Sequence, residues 1–292
     1  MKYSVFLGCT IPARQTNYEQ SARQVAERLG FELVDEDFGC CGFPVEPLDE
    51  IKALSMAAVN LKRASDSGFD VVSLCSACGE MLNKAEDVLA RDKATRAKVN
   101  GLLNKALGIE YSGERPRVVH FARMLHEDLG PEKVRGMVQR PLKGVRIGVH
   151  YGCHYVRPSV LYGGFDDPEF PKSLDELVEA TGAESVDYPG KSDCCGGAIL
   201  AVGEKTAKGM TGKKLETLSQ LNVDAMVLIC PFCGIMYDRY QTQIASELGK
   251  DYQIPVLYYP QLLGLALGID PKKLGFDVNS VSVAKLLEKV DA

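Results

Sequence analysis

Cysteine is the residue type with the most chemical potential in this sequence of 292 residues, which contains ten of them. The cysteines form two sets with the same order: a single cysteine, an adjacent pair, and a Cys-x-x-Cys motif. The first set is Cys9, Cys40, Cys41, Cys75 and Cys78, and the second is Cys153, Cys194, Cys195, Cys230 and Cys233. The intervening stretches have 30 and 33 residues in the first set and 40 and 34 in the second. Because every cysteine belongs to this repeated pattern, we expect both sets to have the same role.

Five thiols per set favour metal binding. A Cys-x-x-Cys turn brings two sulfurs within reach of one metal, as zinc and iron–sulfur sites both require. Four thiolates complete a zinc site or an ordinary cubane cluster, so a fifth has no role in either unless it only lines the pocket. An opened, non-cubane iron–sulfur cluster would use all five. The pattern therefore favours iron–sulfur clusters, and zinc in one set or in both stays open.

Two other roles for the cysteines fit less well. Disulfide frameworks are typical of small secreted scaffolds, whereas this chain is large, and the apolar run after Met1 is too short for a secretory leader. Isolated buried cysteines often pack as small hydrophobic side chains, but that role does not explain two matching constellations.

The sequence around the cysteines repeats as well. Each adjacent pair is followed by a glycine, Gly42 in the first set and Gly196 in the second. Further along, Val118-Val119-His120-Phe121 matches Val256-Leu257-Tyr258-Tyr259. A duplicated unit of about 140 residues has the usual size of a domain. We therefore predict a first cysteine-rich module over residues 1–142 and a second over residues 143–292, the latter with a polar C-terminal tail.

Short apolar runs alternate with amphipathic stretches in each half. Four runs are typical of buried strands: residues 2–8, 69–74, 145–150 and 225–229. Four segments are typical of helices: residues 17–29, 48–66, 203–221 and 234–248. This alternation predicts an α/β fold with two pseudo-symmetric repeats, each a small, mostly parallel sheet flanked by helices in a Rossmann-like arrangement.

The predicted strands indicate where the cysteines lie. Four of them would follow the carboxyl ends of strands, where open α/β sheets place their ligand sites: Cys9, Cys75, Cys153 and Cys230. We also expect the second cysteine of each Cys-x-x-Cys to open a helix, whose positive end favours thiolates.

Composition and motifs limit the other functions. The net charge is −5 and the basic residues are scattered, which argues against a nucleic-acid surface. No stretch approaches the roughly 20 apolar residues of a membrane helix, so we expect a cytoplasmic protein. The sequence contains no ferredoxin-type cysteine run and no Gly-x-Gly-x-x-Gly fingerprint, and Gly209–Lys214 is predicted to interrupt a helix without forming a phosphate loop. We therefore expect no flavin or nucleotide on this chain, and electrons that arrive from another polypeptide.

The pattern Cys…Cys-Cys-Gly…Cys-x-x-Cys, present twice, resembles the CCG family of cysteine-rich proteins. The opening Gly8-Cys9-Thr10-Ile11-Pro12-Ala13-Arg14 and the element Gly152-Cys153-His154-Tyr155 resemble the B subunits of heterodisulfide reductases from methanogenic archaea. The resemblance implies two non-cubane [4Fe–4S] clusters, each held by one set of five cysteines. It also implies reduction of the mixed disulfide of coenzyme M and coenzyme B to two thiols, a step of methanogenesis. The partners that it implies are a ferredoxin-like iron–sulfur subunit and another subunit that carries flavin, in a complex that can include a hydrogenase.

A few residues outside the cysteines are candidates for further roles. His154 follows a predicted ligand, and histidine is the side chain best suited to proton transfer near neutral pH, so it either protonates a leaving thiolate or only hydrogen-bonds to a cluster sulfur. The anionic substrate would need cationic contacts, for which Arg14, Lys208 and Lys213 are candidates. The duplication motivates a mechanism in which two equivalent sites face a shared cleft and each takes one sulfur of the disulfide.

Two other functions stay open. Another CCG-type oxidoreductase subunit, passing electrons to a quinone or a different small acceptor, would share every cysteine and differ in the anion-binding groups of its cleft. A zinc-stabilised scaffold without catalysis is the second, and its iron, zinc and sulfide content would separate it from both enzymes.

Overall fold

Two parallel β-sheets form the frame of the protein in the computed structural model, which describes residues 1–113 and 116–291. The strands of the first sheet are β1 (Lys2–Phe6), β2 (Glu32–Asp35), β3 (Asp70–Ser73) and β4 (Val118–His120). Those of the second are β5 (Arg146–His150), β6 (Glu184–Val186), β7 (Ala225–Leu228) and β8 (Val256–Tyr258). The strand orders are β2-β1-β3-β4 and β6-β5-β7-β8, with all neighbours parallel. The predicted α/β fold with two equivalent repeats is confirmed.

Helices connect the strands in both halves. Those of the first half are α1 (Thr10–Arg14), α2 (Thr16–Leu29), α3 (Glu50–Ser67), α4 (Ser76–Arg91), α5 (Lys93–Leu107), α6 (Phe121–Met124) and α7 (Pro131–Met137). Those of the second half are α8 (Ser173–Ala180), α9 (Glu204–Gln220), α10 (Pro231–Gly234), α11 (Gln241–Glu247), α12 (Tyr259–Ala266) and α13 (Ala284–Asp291). Wider π-helical turns follow α6 at Leu125–Leu129 and α10 at Ile235–Arg239. Single 3₁₀ turns lie at Ser159–Leu161, Gly197–Ile199, Pro271–Lys273 and Phe276–Val278.

Local chemistry accounts for the bounds of the long helices. Asp49 caps α3 because its side chain accepts a hydrogen bond from the backbone N–H of Lys52, and Gly68 ends the helix with a φ of 72°. The predicted interruption at Gly209–Lys214 is wrong, because α9 runs unbroken through it. Gly212 serves a packing contact instead: a Cβ there would lie 2.4 Å from Cδ1 of Leu248, so glycine lets α11 approach closely.

The two halves share one hydrophobic core. Helix α2 of the first half packs against α12 of the second, and α8 of the second packs against α6 and α7 of the first. The ring of Tyr18 stacks on Tyr258 with centroids 4.0 Å apart, and Tyr155 meets His120 edge-on at 5.1 Å. Because helices of each half pack against the other half, the carboxyl ends of both sheets lie at the junction between the halves. The proposed boundary between residues 142 and 143 stays a prediction.

No helix in residues 1–113 and 116–291 combines the length and the apolar character needed to cross a membrane.

Candidate metal centre

The cysteines that follow strands lie where the sheets end. Strands β3 and β7 lead to Cys75 and Cys230, and these two residues occupy the N-caps of α4 and α10. The prediction that the second cysteine of each motif begins the helix is therefore wrong. The first cysteine caps the helix, and Cys78 and Cys233 lie within its first turn. The reason is geometric: the first cysteine still has extended backbone torsions, as an N-cap does.

Glycines with left-handed backbone hold the remaining cysteines close to these helices. Gly8 has a φ of 65°, and a Cβ there would lie 2.8 Å from the sulfur of Cys78. The glycines after the adjacent pairs are equally restricted. A Cβ on Gly42 would lie 2.5 Å from the carbonyl oxygen of Ala53, and one on Gly196 would lie 2.8 Å from Cα of Ala207. The Cys-Cys-Gly loops thus rest directly on α3 and α9.

All cysteines except Cys9 form a continuous chain of side-chain contacts. Its order is Cys40, Cys41, Cys78, Cys75, Cys230, Cys233, Cys195, Cys194 and Cys153. The contact between Cys75 and Cys230 joins the two sets across the junction. Cys9 is exposed and lies outside this chain.

Contacts between the cysteines favour the thiolate at one member of each adjacent pair, Cys41 and Cys194, and raise the pKa of the other, Cys40 and Cys195. Side-chain contacts from Cys153 and then Cys195 lower the pKa of Cys194 to about 2. In the first set, contacts from Cys40 and then Cys78 lower the pKa of Cys41 to about 4. Backbone N–H groups add to this, since Gly196 donates to Cys194 Sγ at 3.3 Å. Sulfurs prepared in this way are suited to bind metal.

Among the residues that the structure describes, a buried His–Lys pair adjoins the second set and not the first. His150 Nε2 lies 3.1 Å from Cys233 Sγ, and the ammonium of Lys214 donates to His150 Nδ1 at 2.9 Å. Burial lowers the pKa of Lys214 to about 8 and, together with the charge of Lys214, holds the pKa of His150 well below its usual value. The ligand atoms of His150, Cys195 and Cys233 all lie within 4.8 Å of one another. Sequence reasoning missed both residues, although aligning the repeats pairs His150 with Phe6 and Lys214 with Asn60.

His154 lies at a small cavity where the halves meet. The cavity is lined by Cys153, Cys194 and Ser76, among others. His154 Nδ1 is 3.7 Å from Glu80 Oε2 on α4, and burial followed by the charge of Glu46 raises the pKa of Glu80 to about 7. The structure thus places His154 beside the thiols, while its predicted role in proton transfer stays a prediction.

The three predicted cations have different surroundings. Arg14 is exposed and lines a cleft of about 740 Å³. Lys208 forms ion pairs with Glu204 at 2.6 Å and Glu247 at 2.7 Å, in a separate groove. Lys213 is exposed on α9 and does not line the cleft. The structure therefore brings only Arg14 to the cleft.

The cleft of Arg14 leads to the second set of cysteines. Its walls are mainly apolar and include Leu200 and Met236. Phe43, Ala198 and Phe232 line both this cleft and the small cavity beside Cys194 and Cys195. A ligand in the cleft would therefore approach the second set past Phe43 and Phe232.

The donor set fits an iron–sulfur or zinc group by its chemistry. All ten cysteines are free thiols, and the sulfurs nearest the junction are buried. Thiolate is a soft ligand that suits zinc and iron–sulfur clusters. The backbone donors to Cys40, Cys194 and Cys195 are of the kind that stabilise clusters in proteins.

Comparison with known proteins agrees with this site. The CCG cysteine-rich domain matches the chain twice, over residues 3–83 and 147–238. The chain is 36% identical to the B subunit of the ferredoxin/F(420)H(2)-dependent CoB-CoM heterodisulfide reductase of Methanosarcina acetivorans, over 99% of this chain and 97% of that protein. It is 30% identical to the "8-methylmenaquinol:fumarate reductase membrane anchor subunit" of Wolinella succinogenes, over 98% of this chain and 99% of that protein.

A solved structure agrees with the fold. The crystal structure of a hypothetical protein from Helicobacter pylori superimposes with a TM-score of 0.80 at 16% identity, over 97% of this chain and 52% of that one. The twofold domain match covers both thiol sets, and the similarity to the Methanosarcina protein extends over nearly the whole chain. The chain therefore belongs to the CCG family of cysteine-rich proteins and carries two copies of the domain.

Proposed function

We propose that this chain is the catalytic subunit of a heterodisulfide reductase, which reduces the mixed disulfide of coenzyme M and coenzyme B to two thiols in methanogenesis. The contact between Cys75 and Cys230 carries this proposal, because it joins the two thiol sets at one junction. Cleavage of a disulfide takes two electrons, and two adjoining one-electron centres meet that need. The similarity to the B subunit of a CoB-CoM heterodisulfide reductase supports this substrate.

Each thiol set is proposed to hold one non-cubane [4Fe–4S] cluster. The first would be held by Cys9, Cys40, Cys41, Cys75 and Cys78, and the second by Cys153, Cys194, Cys195, Cys230 and Cys233. Such clusters supply single electrons when bound. The chain itself buries six of the ten cysteines, places four of them shortly after strands and donates backbone N–H groups to Cys40 and Cys194.

Residues at the junction would handle protons and substrate. His154 and Glu80 lie 3.7 Å apart beside the cavity of Cys153 and Cys194, where a proton is needed by each thiolate released. Arg14 would contact an anionic group of the substrate in the cleft. Lys208 and Lys213 do not line that cleft, so we propose no contact of these two side chains with the substrate.

Electrons would come from partner chains. The family resemblance implies a ferredoxin-like iron–sulfur subunit, a flavin-bearing subunit, and a hydrogenase in the larger complex. The name of the Methanosarcina relative, which describes one subunit of a ferredoxin- or F420H2-dependent reductase, supports an assembly of several subunits.

The test is turnover of the coenzyme M–coenzyme B disulfide by the anaerobically purified chain with reduced viologen as electron donor. Cys41→Ser and Cys195→Ser should each remove one cluster, lower the iron content from about eight to about four per chain, and abolish turnover. Lys213→Ala, at an exposed site on α9, is the matched control and should leave both unchanged. A variant that lacks one cluster yet keeps full activity would contradict the two-cluster proposal.

The apolar lining of the cleft favours a second candidate. A quinol or quinone has a large apolar ring system, which suits walls such as Leu200, Phe232 and Met236 better than a highly charged disulfide does. The name of the Wolinella relative also contains a quinol. If a soluble menaquinol analogue reduces the clusters and the heterodisulfide does not oxidise them, this second function replaces the first.

A further inference from the structure

Within residues 1–113 and 116–291, the second module carries a buried lysine at its thiol set and the first module has no buried lysine or arginine. Lys214 and His150 are both buried, and Lys214 lies one helix turn from Thr211, on the face of α9 that meets the Cys-Cys-Gly loop. At the equivalent position of the first module, Asn60 donates to the carbonyl oxygen of Cys40 at 3.1 Å and accepts from the N–H of Gly39 at 2.8 Å. Both side chains brace the same loop, but only Lys214 brings a charge.

The hydrogen bonds of Lys214 define the state of His150. Its ammonium donates to the carbonyl oxygens of Lys191 at 3.1 Å and Asp193 at 2.9 Å, and to His150 Nδ1 at 2.9 Å. An ammonium has three donors and no acceptor, so Nδ1 of His150 is the acceptor. The ring hydrogen is then on Nε2, which donates to Cys233 Sγ at 3.1 Å.

The first module has nothing comparable at this position. Phe6 replaces His150 at the end of β1, so no ring N–H points at Cys78, which corresponds to Cys233. On α4 the buried carboxyl of Glu80 interacts with Cys41 of the first set. In the second module the exposed carboxylate of Asp193 is the opposing charge, and solvent screens it from the buried ammonium.

We propose that the His150–Lys214 pair raises the reduction potential of the cluster in the second module above that of the first, so that electrons collect beside the cleft. This rests on the proposed function, since it requires a cluster in each module. Reduction adds negative charge to a cluster, which a cation and an N–H donor at a ligand sulfur stabilise. The cleft that leads to Cys194 and Cys195 lies on this side, so the centre of higher potential is the one that meets substrate.

The test is a dithionite titration of the anaerobically purified full chain, followed by electron paramagnetic resonance. The wild type should show two midpoint potentials, each for a one-electron step. His150→Phe and Lys214→Asn install the residues of the first module. Each should lower the midpoint potential of the higher-potential signal by about 59 mV, which is a tenfold shift of the one-electron equilibrium toward the oxidised form. The lower-potential signal should not move, and Lys214→Arg should retain the wild-type value.

A second readout shows which cluster His150 contacts, and it does not depend on the folding of the His150 and Lys214 variants. In wild-type protein labelled with ¹⁵N-histidine, a weak nitrogen coupling should appear on the higher-potential signal, and it should persist in His154→Gln. A strong coupling, as for direct ligation of iron by His150, would overturn the hydrogen-bond assignment.

The outcomes separate the two proposals. Two clusters with coincident potentials, or a weak coupling on the lower-potential signal, would overturn the inference and leave the proposed function intact. Zinc, or a single cluster, in the wild type would overturn both.

Discussion

Cys9 in the first module is exposed, whereas its counterpart Cys153 in the second is half-buried and contacts Cys194. A short helix, α1, follows Cys9, but an irregular segment with one 3₁₀ turn follows Cys153 and extends to α8. The strand orders, the N-cap positions of Cys75 and Cys230 and the Cys-Cys-Gly loops match, although the helix that carries the motif has 16 residues in α4 and four in α10. The comparison shows that the strand ends and the Cys-Cys-Gly loops are common to both modules, while the segments after Cys9 and Cys153 differ and the buried Lys214 of the second module replaces the neutral Asn60 of the first.

The common backbone gives the largest expected effect. In both modules the glycine after the cysteine pair has a positive φ and no room for a Cβ. Gly42→Ala and Gly196→Ala should each lower the free energy of unfolding by about 3 kcal/mol, from left-handed strain plus overpacking. Gly30→Ala is the control, because Gly30 has a φ of 78° but open space around it, and it should cost about 1 kcal/mol.

Urea unfolding of the metal-free, thiol-reduced chain measures these values. A clearly smaller loss of unfolding free energy for Gly42→Ala than for Gly196→Ala would show that the two loops are not equivalent. That result would contradict a common backbone in the two modules.

The ionisation of Glu80 has a smaller expected effect on the free energy of unfolding, confined to a defined pH range. Burial raises the pKa of Glu80 from 4.5 to about 7, so between these values the folded chain binds more protons than the unfolded chain. The free energy of unfolding should therefore fall as pH rises through this window. Glu80→Gln should remove that slope and stabilise the chain at about pH 7.5 by about 1–2 kcal/mol, allowing for partial exposure.

The measurement is the urea midpoint at about pH 5 and about pH 7.5. Glu179→Gln, an exposed substitution on α8, is the control and should leave the slope as in the wild type. If Glu80→Gln kept the pH dependence of the wild type, the raised pKa would not belong to Glu80. The contrast between a buried acid in the first module and the buried Lys214 in the second would then be contradicted.

The smallest effect concerns the cleft beside the second module. Arg14 comes from the first module but lines this cleft, where an anionic group of the substrate would meet it. Arg14→Ala should raise KM less than about tenfold, because an exposed charge pair contributes about 1 kcal/mol or less. Lys208→Ala and Lys213→Ala should leave KM unchanged. A larger effect at Lys208 than at Arg14 would place the substrate in the other groove.

Much of the frame was predictable from sequence. Apolar runs and cysteine spacing predicted the parallel sheets and the positions of Cys75 and Cys230 after strands, because both follow from local periodicity. The contact between these two cysteines was not predictable, since it depends on how α2 and α8 pack against the opposite half. Periodicity within one element contains no information on that docking.

The His150–Lys214 pair was missed for a different reason. Gly209 and Gly212 suggested a break in the helix, so Lys214 was not assigned to a buried helical face. The close approach of α11 explains why glycine occupies position 212 within a helix. Aligning the repeats position by position pairs Lys214 with Asn60 and would have shown a charge where the first module has none.

The most direct test of the account is the metal content of the wild-type chain, purified without oxygen and analysed for iron, zinc and acid-labile sulfide. Two four-iron clusters in matching thiol sets predict about eight irons and about eight sulfides per chain, with no zinc above background. About two zinc ions per chain without sulfide would contradict it, and would make both modules structural zinc sites.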